Sequence, residues 1–264
     1  MTALHRLHAA LGTMGPVAIA VSGGVDSLTL ATAAHRQPGV QVTMHHATSP
    51  AVPQEATCRT RALAAAEGWA LDVFDANEFQ DPAYRANPVN RCFFCKTNLY
   101  GAVAARTAHR ILSGTNTDDL GDYRPGLDAA RNHAVRHPYV EAGIDKRTVR
   151  ALAAELGLGA LADLPSAPCL SSRIETGIRI EAPVLAMVHA AERLVTARLA
   201  PRTVRCRVRA RGVVVELDPE TLGALDAAGP LRDELQTLAA AAGLPAPIAF
   251  APYRIGSAFL QAAT

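Results

Sequence analysis

The chain has 264 residues, of which 49% are hydrophobic and 19% charged, with a formal net charge of +2. That length suits one large domain or a main domain with an appendage, and that composition excludes a disordered chain. The pI near 8.4 is too mild to imply nucleic-acid binding by itself, and no apolar run reaches the length of a membrane span.

The opening stretch, MTALHRLHAALGTMGP, carries His and Arg early and lacks a long apolar core, so it does not read as a secretory signal. Five unevenly spaced cysteines point to reduced thiols or metal ligands rather than a disulfide scaffold. The expected location is the cytoplasm.

Residues 16–21, PVAIAV, form a short apolar run ending at a Gly pair and predict a buried strand. A helix is expected from Asp26 to about Ala34, a strand over 40–46, a helix from Pro53 to Glu67 and a strand over 69–75. Lys96–His109 reads as a helix and 110–114 as a fourth strand. This alternation predicts an α/β fold built on a doubly wound parallel sheet, with ligands beyond the C-terminal strand ends. Asp145 is a plausible N-cap for a helix over Lys146–Leu156, which Gly157 stops. The Pro-, Ser- and Gly-rich stretch between Gly157 and Gly177 suggests a boundary, giving domains of about 1–160 and 161–264. A helix (182–199), strands (203–209 and 213–217), a helix (220–242) and a last strand (247–254) predict a smaller α+β domain.

The strongest local signal is Ser22-Gly23-Gly24-Val25-Asp26-Ser27, between the first strand and first helix. Two glycines allow a tight turn that brings backbone N–H groups to a phosphate, and the helix dipole points its positive end there. Ser22 and Ser27 add hydroxyls, and Asp26 can hold a magnesium ion. Without Gly-Lys-Ser/Thr this is not a Walker loop; a bare Gly-Gly turn would be poor evidence. The hexapeptide resembles the pyrophosphate loop of PP-loop ATP pyrophosphatases. Ser113-Gly114-Thr115-Asn116-Thr117-Asp118-Asp119, a polar turn if taken alone, resembles the nucleotide-side segment of that superfamily. Beyond it, Arg124 can face an anion.

Cys92 and Cys95 form a Cys-x-x-Cys just before the helix expected from Lys96. Such a pair is ambiguous among redox couple, zinc half-site and cluster half-site. Cys58 and Cys206 read as small buried hydrophobes. Cys169 lies in the Pro-rich PSAPCLSSR, with Arg173 near enough to favour a thiolate. Arg205, Arg207, Arg209 and Arg211 alternate along one strand and line one face, either solvated or an anion site. The histidines, among them His45, His46, His133 and His137, lack zinc-site spacing and read as structural or surface residues.

Taken in order, SGGVDS, NPVNRCFFCK, SGTNTDDLGDYRPG, HPYVEAGIDKRTVRALAAELGL and PSAPCLSSR resemble the LarE family of ATP-dependent sulfur transferases, over roughly Ala18–Leu217. The resemblance implies a PP-loop fold of the adenine nucleotide alpha hydrolase type. It implies ATP and Mg²⁺ as reactants, with Ser22, Gly23, Gly24, Asp26, Ser27, Gly114, Thr115, Asn116 and Asp118 around the nucleotide. It further implies adenylation of a carboxylate of pyridinium-3,5-biscarboxylic acid mononucleotide and conversion to a thiocarboxylate, for the nickel-pincer nucleotide cofactor of lactate racemase. Arg207, Arg209 and Glu192, with Arg124 and Arg173, are the implied substrate contacts, although an expected Arg before Glu216 is missing. Some family members sacrifice the sulfur of the cysteine matching Cys169. Others use three cysteines, matching Cys92, Cys95 and Cys169, to hold a [4Fe-4S] cluster, and this chain has that set.

Lys96 is a candidate to stabilise the departing pyrophosphate; a solvated helix residue is the plainer role. The implied partner is a small-molecule nucleotide substrate, with no nucleic acid or membrane, and the resemblance implies a homo-oligomer, a hexamer in family members. Rival readings are a tRNA thiolase, an ammonia-using amide synthetase and a non-catalytic nucleotide-binding module.

Overall fold

A computed structural model describes residues 1–121, 124–165, 168–225, 229–244 and 247–259. In chain order the elements are α1 (Ala3–Gly12), β1 (Val17–Ala20), α2 (Val25–Arg36), β2 (Val42–Thr48), α3 (Gln54–Glu67), β3 (Leu71–Asp75), α4 (Pro82–Arg85), α5 (Arg91–Ala104) and β4 (Arg110–Leu112). They continue with α6 (Pro125–Asn132), α7 (Pro138–Glu141), α8 (Lys146–Glu155), α9 (Gly159–Ala162), α10 (Ala182–Leu199), β5 (Val204–Arg209), β6 (Gly212–Leu217), α11 (Pro219–Gly223), α12 (Gly229–Ala241) and β7 (Ile248–Pro252). Short 3₁₀ turns cover Glu78–Gln80, Thr117–Leu120 and Leu170–Arg173. Two compact units result: Met1–Phe79 with Cys92–Ala167, and Gln80–Arg91 with Pro168–Thr264. No composition shift in the sequence marks Gln80–Arg91 as part of the second unit.

The first unit is an α/β fold on a four-stranded sheet of order β3-β2-β1-β4, parallel throughout. Val17 and Ile19 of the central strand β1 face one way, into a core with Leu7, Leu11, Leu28, Leu30, Val149 and Leu152 of the helices α1, α2 and α8. Ala18 faces the other way, toward Tyr100, Val103 and Ala130 from α5 and α6. Period-2 alternation with apolar residues on both sides is what a sheet covered by helices on both faces requires. Since β1 is central, its C-terminal end opens where the ligands of doubly wound sheets bind.

The second unit carries a three-stranded sheet of order β5-β6-β7, antiparallel between β5 and β6 and parallel between β6 and β7. Leu185, Val188 and Val195 of α10 and Leu231 and Leu235 of α12 are buried with Cys206, Val208, Val213 and Val215.

Several local expectations need correcting. The N-terminal stretch forms α1, capped by the Thr2 hydroxyl accepting from His5 N–H at 3.2 Å, with Leu7 and Leu11 one turn apart and buried. Helix α5 begins at Arg91, not Lys96, so Cys92 and Cys95 lie inside its first turns. The helix expected over 220–242 is two. Asp218 caps α11 by accepting from Thr221 N–H, and a new helix opens at Gly229 with Pro230, a residue that cannot continue a helix from upstream. The residues 226–228 between them lie outside the described residues, as do Asp122, Tyr123, Ser166 and Ala167 of the quoted motifs.

Candidate active site

The first loop closes on itself through Ser27. Its hydroxyl accepts from Ser22 N–H at 3.0 Å and donates to the Gly24 carbonyl at 3.2 Å, and Ser22 Oγ lies 3.2 Å away. Gly23 has φ +80, and a Cβ there would come within 2.6 Å of the Ala56 carbonyl oxygen at the start of α3. Only glycine fits both constraints. Gly24 is the N-cap of α2 and offers no side-chain hydrogen bond, leaving the first N–H groups of that helix available to an anion.

The second loop meets the first. A Cβ on Gly114 would lie 2.8 Å from the backbone nitrogen of Ser27 and 2.9 Å from the Asp26 carbonyl carbon, so glycine is what lets the two loops touch. Asn116 caps its own 3₁₀ turn in a reciprocal box with Asp119. Its side-chain amide donates to Asp26 Oδ1 at 3.3 Å. Asp118 accepts from Lys146 N–H at 3.2 Å, and Arg124 pairs with Asp119 at 2.8 Å.

Asp26 is the focus of this edge. Its Oδ2 accepts from Lys146 Nζ, and its carbonyl accepts from the Tyr139 hydroxyl at 3.0 Å. Burial first, and then the charge of Asp26, push the Tyr139 phenol far above its ordinary pKa, so it remains a donor. The cation beside Asp26 is Lys146, which sequence reasoning treated only as a helix start. The two are 120 positions apart, and the only signal was an acidic side chain in a polar loop needing a counter-charge. Lys96 instead lies with Nζ 5.6 Å from the centroid of the Tyr100 ring. Its Cγ is so close to Gly126 that a Cβ there would approach to 3.1 Å.

His46, fully buried, braces the first loop from behind. Since a carbonyl only accepts, Nδ1 must carry the proton donated to Val21 O at 2.8 Å, and Nε2 accepts from the Thr57 hydroxyl at 2.9 Å. Burial lowers the pKa of His46, against the raising effect of the Val21 contact.

In the second unit Cys169 is exposed and precedes the 3₁₀ turn Leu170–Arg173. The turn is braced from several sides. Arg173, buried, donates to the carbonyls of Pro168 (2.6 Å) and Cys169 (3.2 Å) and forks onto Glu192 at 2.9 and 3.0 Å. Glu192 also accepts from Cys206 N–H at 3.0 Å. Ser171 shares a 2.6 Å hydrogen bond with Tyr84, and Arg207 donates to Ser172 O at 3.0 Å. The guanidinium of Arg173, expected from the sequence to lie near the thiol, holds the backbone on which Cys169 stands. Cys92 and Cys95 are partly buried; Cys58, expected to be buried, is exposed on α3, whereas Cys206 is fully buried, a burial that pushes its thiol pKa far up.

The arginine face of β5 is not a solvated stripe. Arg207, 4% exposed, donates to Glu216 Oε2 at 3.0 Å, and Arg209 to Glu216 Oε1 at 2.8 Å. Ser257 donates to the same carboxylate at 2.6 Å. Burial pushes the Glu216 pKa up, but the Ser257 hydrogen bond and the Arg207 and Arg209 guanidiniums outweigh it and hold the carboxyl below its usual range. Arg205, partly buried, has its guanidinium 5.9 Å from the Tyr253 ring centroid. Arg211 leaves the face altogether, because β5 ends at Arg209 and Ala210–Arg211 form the hairpin turn. Sequence also missed Asn87. It is buried at φ +54 and donates to the Glu175 and Ile178 carbonyls at 2.9 Å each, while its Oδ1 takes a 2.6 Å bond from Arg91.

Among the described residues, no three His, Cys, Asp or Glu side chains are gathered as a metal site, and no helix is long and apolar enough to cross a membrane.

A parallel sheet with a glycine loop feeding an uncapped helix at its C-terminal edge defines a PP-loop-like α/β protein. No protein-family model matches the chain. It is 37% identical over 223 residues to the uncharacterized protein slr1717 of Synechocystis sp., covering 83% of this chain and 82% of that one. It is 31% identical over 222 residues to the pyridinium-3,5-bisthiocarboxylic acid mononucleotide synthase of Lactiplantibacillus plantarum, covering 82% of this chain and 80% of that enzyme. A shorter match, 29% over 93 residues, joins it to the uncharacterized protein MJ0830 of Methanocaldococcus jannaschii. The chain belongs to the family of the plantarum synthase, the LarE family.

Proposed function

We propose that this protein is an ATP-dependent sulfur transferase acting on a carboxylated pyridinium mononucleotide. The observation that carries the reading is the loop pair around Asp26, in a chain that matches the plantarum synthase across four-fifths of its length. A carboxylate repels a nucleophile. Its oxygen therefore first attacks the α-phosphorus of ATP, pyrophosphate leaves, and the mixed anhydride with AMP presents a carbonyl open to sulfur. The N–H groups at the start of α2 and the Lys146 ammonium are the donors suited to charge building on pyrophosphate.

Asp26 supplies hard carboxylate oxygens fit for Mg²⁺, which when bound neutralises phosphate charge. The ammonium of Lys146 balances that carboxylate, which is the charge a cation site should need.

For sulfur, the thiols of Cys92, Cys95 and Cys169 are a donor set chemically suited to a [4Fe-4S] cluster, which would supply replaceable sulfur. Cys92 and Cys95, at i and i+3 on α5, share a helix face. The exposure of Cys169 on a braced turn favours a second reading. Its thiolate attacks the acyl adenylate and expels AMP; β-elimination of the thioester then gives a thiocarboxylate and leaves dehydroalanine.

The test is anaerobic incubation of freshly purified protein with the dicarboxylated mononucleotide and Mg·ATP. The reading expects a thiocarboxylate, AMP and pyrophosphate, all lost in a folded Asp26→Asn variant. Absence of thiocarboxylate with the wild type contradicts it. Intact mass separates the two sulfur routes: protein lighter by the elements of hydrogen sulfide marks the sacrificial one. Iron that is lost, together with activity, in Cys92→Ala marks the cluster.

A further inference from the structure

His137 immediately precedes α7, and its ring is partly buried beside the second loop. Its Nδ1 lies 2.8 Å from Ser113 Oγ, which lies 3.0 Å from Thr115 Oγ1. The backbone holds these groups in place. Ser113 N–H donates to Arg136 O at 3.1 Å, Arg136 N–H donates to Ile111 O at 2.9 Å, and Leu112 bridges Arg136 in parallel beside β4. Between Ser113 and Thr115 stands Gly114, the residue in contact with the Asp26–Ser27 backbone. An imidazole thus joins, through two hydroxyls, to the loop that meets the phosphate loop.

A chain of two hydroxyls has two directions. With Nδ1 unprotonated, Thr115 donates to Ser113 and Ser113 donates to the ring, so both protons point inward. With Nδ1 protonated, on the imidazolium or on the neutral Nδ1–H tautomer, the ring donates to Ser113, Ser113 donates to Thr115, and the Thr115 hydroxyl is left to donate elsewhere; of the two forms, a nearby anion favours the imidazolium. Only the second direction presents a donor to an anion.

We propose that His137 is a positioning residue which takes up a proton when a nucleotide polyphosphate binds and turns the Ser113–Thr115 chain so that Thr115 donates to that anion.

The groups acting on the ring set the sign. Burial most strongly, and Lys96 of α5 more weakly, lower its pKa, while Glu141 of α7 and Asp119 of the 3₁₀ turn raise it. Glu141 is itself balanced by Arg136 and Asp119 by Arg124. The net result is a ring below its ordinary value and therefore neutral at pH 7 without ligand. A polyphosphate held at the first loop, where Gly114 meets the Asp26–Ser27 backbone, adds negative charge near the chain and favours the imidazolium. Affinity is then fully enhanced below the free-state pKa and loses that enhancement as pH rises through the higher bound-state value. Each unit of difference between the two values is up to about a tenfold gain in affinity.

The inference rests on the nucleotide reading above. Calorimetry of Mg·ATP binding at pH 7, in buffers of different ionisation enthalpy, counts protons exchanged. Net uptake is expected for the wild type and loss of that uptake for His137→Gln, with ATP still bound. Ser113→Ala, which keeps the imidazole but cuts the chain, should also lose it. Uptake retained in Ser113→Ala overturns the relay, because the ring would then respond through space. ATP binding without uptake in the wild type overturns it while sparing the nucleotide reading; no ATP binding at all sinks both.

Discussion

The two units handle charge in opposite ways. Around Asp26 the ionic groups are partly open, with the side chains of Lys146 and Asp26 32% and 27% exposed, and the helix beside them lacks a side-chain cap. Around Glu216 the charges are sealed, with Arg207 and Glu216 side chains 5% and 3% exposed and every carboxylate oxygen bonded. Partners that keep access to water can be exchanged for a ligand at little cost. Partners that have lost their water cannot, because a buried charge left alone costs several kcal/mol. The first unit is therefore arranged to change partners, and the second to hold a cysteine-bearing turn still.

The largest effect expected from this contrast is at Glu216. Replacing it with Gln strips Arg207 and Arg209 of their shared counter-charge and should cost about 3–5 kcal/mol in chemical denaturation. Arg202→Ala, at a pair with both side chains more than 70% exposed, should stay within about 1 kcal/mol. Equal losses at the two sites would erase the distinction. Glu216 also gives a pH signature. Its carboxyl is held below its usual range, so its stabilisation is present above the unfolded-state pKa and lost as pH falls through the folded one.

A smaller effect is expected at Gly114. An added methyl meets backbone atoms of Asp26 and Ser27 at 2.8–3.0 Å, and backbone cannot swing aside. Gly114→Ala should cost about 1–3 kcal/mol and weaken nucleotide binding, whereas Gly121→Ala, whose methyl meets no atom of the described residues within 4 Å, should do neither. Unchanged ATP affinity in folded Gly114→Ala would mean that the two loops need not touch.

How much of this was legible in the sequence follows from the range of the forces involved. The first glycine loop, β1 and the cap at Asp145 are local, and the order strand–glycines–helix declares them. Lys146 beside Asp26, Tyr139 on its carbonyl and His137 behind Ser113 arise from chain crossovers, which no short window contains. The arginines of β5 were visible by period, but period tells only which residues share a face. That the face is covered, through Ser172, Arg254 and Ser257, depends on segments 30 or more positions away. Helix α5 started early because Pro88, whose carbonyl accepts from Arg91 N–H at 2.9 Å, begins the turn before the cysteines.

The smallest expected change is at Glu78, a buried carboxyl whose Oε2 has no hydrogen-bond partner among the described residues. Burial raises its pKa, opposed by the Ser49 hydrogen bond. The folded state therefore keeps a proton the unfolded state has released, and stability falls as pH rises from the unfolded-state value through the folded one. Glu78→Gln should raise Tm at pH 8 and leave it nearly unchanged at pH 4; a lower Tm at pH 8 would show that the carboxylate is paired after all.

The central claim, that the partly open edge around Asp26 joins AMP to a carboxylate before sulfur arrives, is most directly tested by following oxygen. With all four carboxylate oxygens of the dicarboxylated mononucleotide labelled with ¹⁸O, attack on the α-phosphorus followed by displacement by sulfur must leave one labelled oxygen in each AMP. Mass spectrometry of the nucleotide should therefore show one ¹⁸O in AMP for every thiocarboxylate formed, and none in pyrophosphate. Thiocarboxylate accompanied by unlabelled AMP, or by ADP and labelled phosphate, would contradict the account.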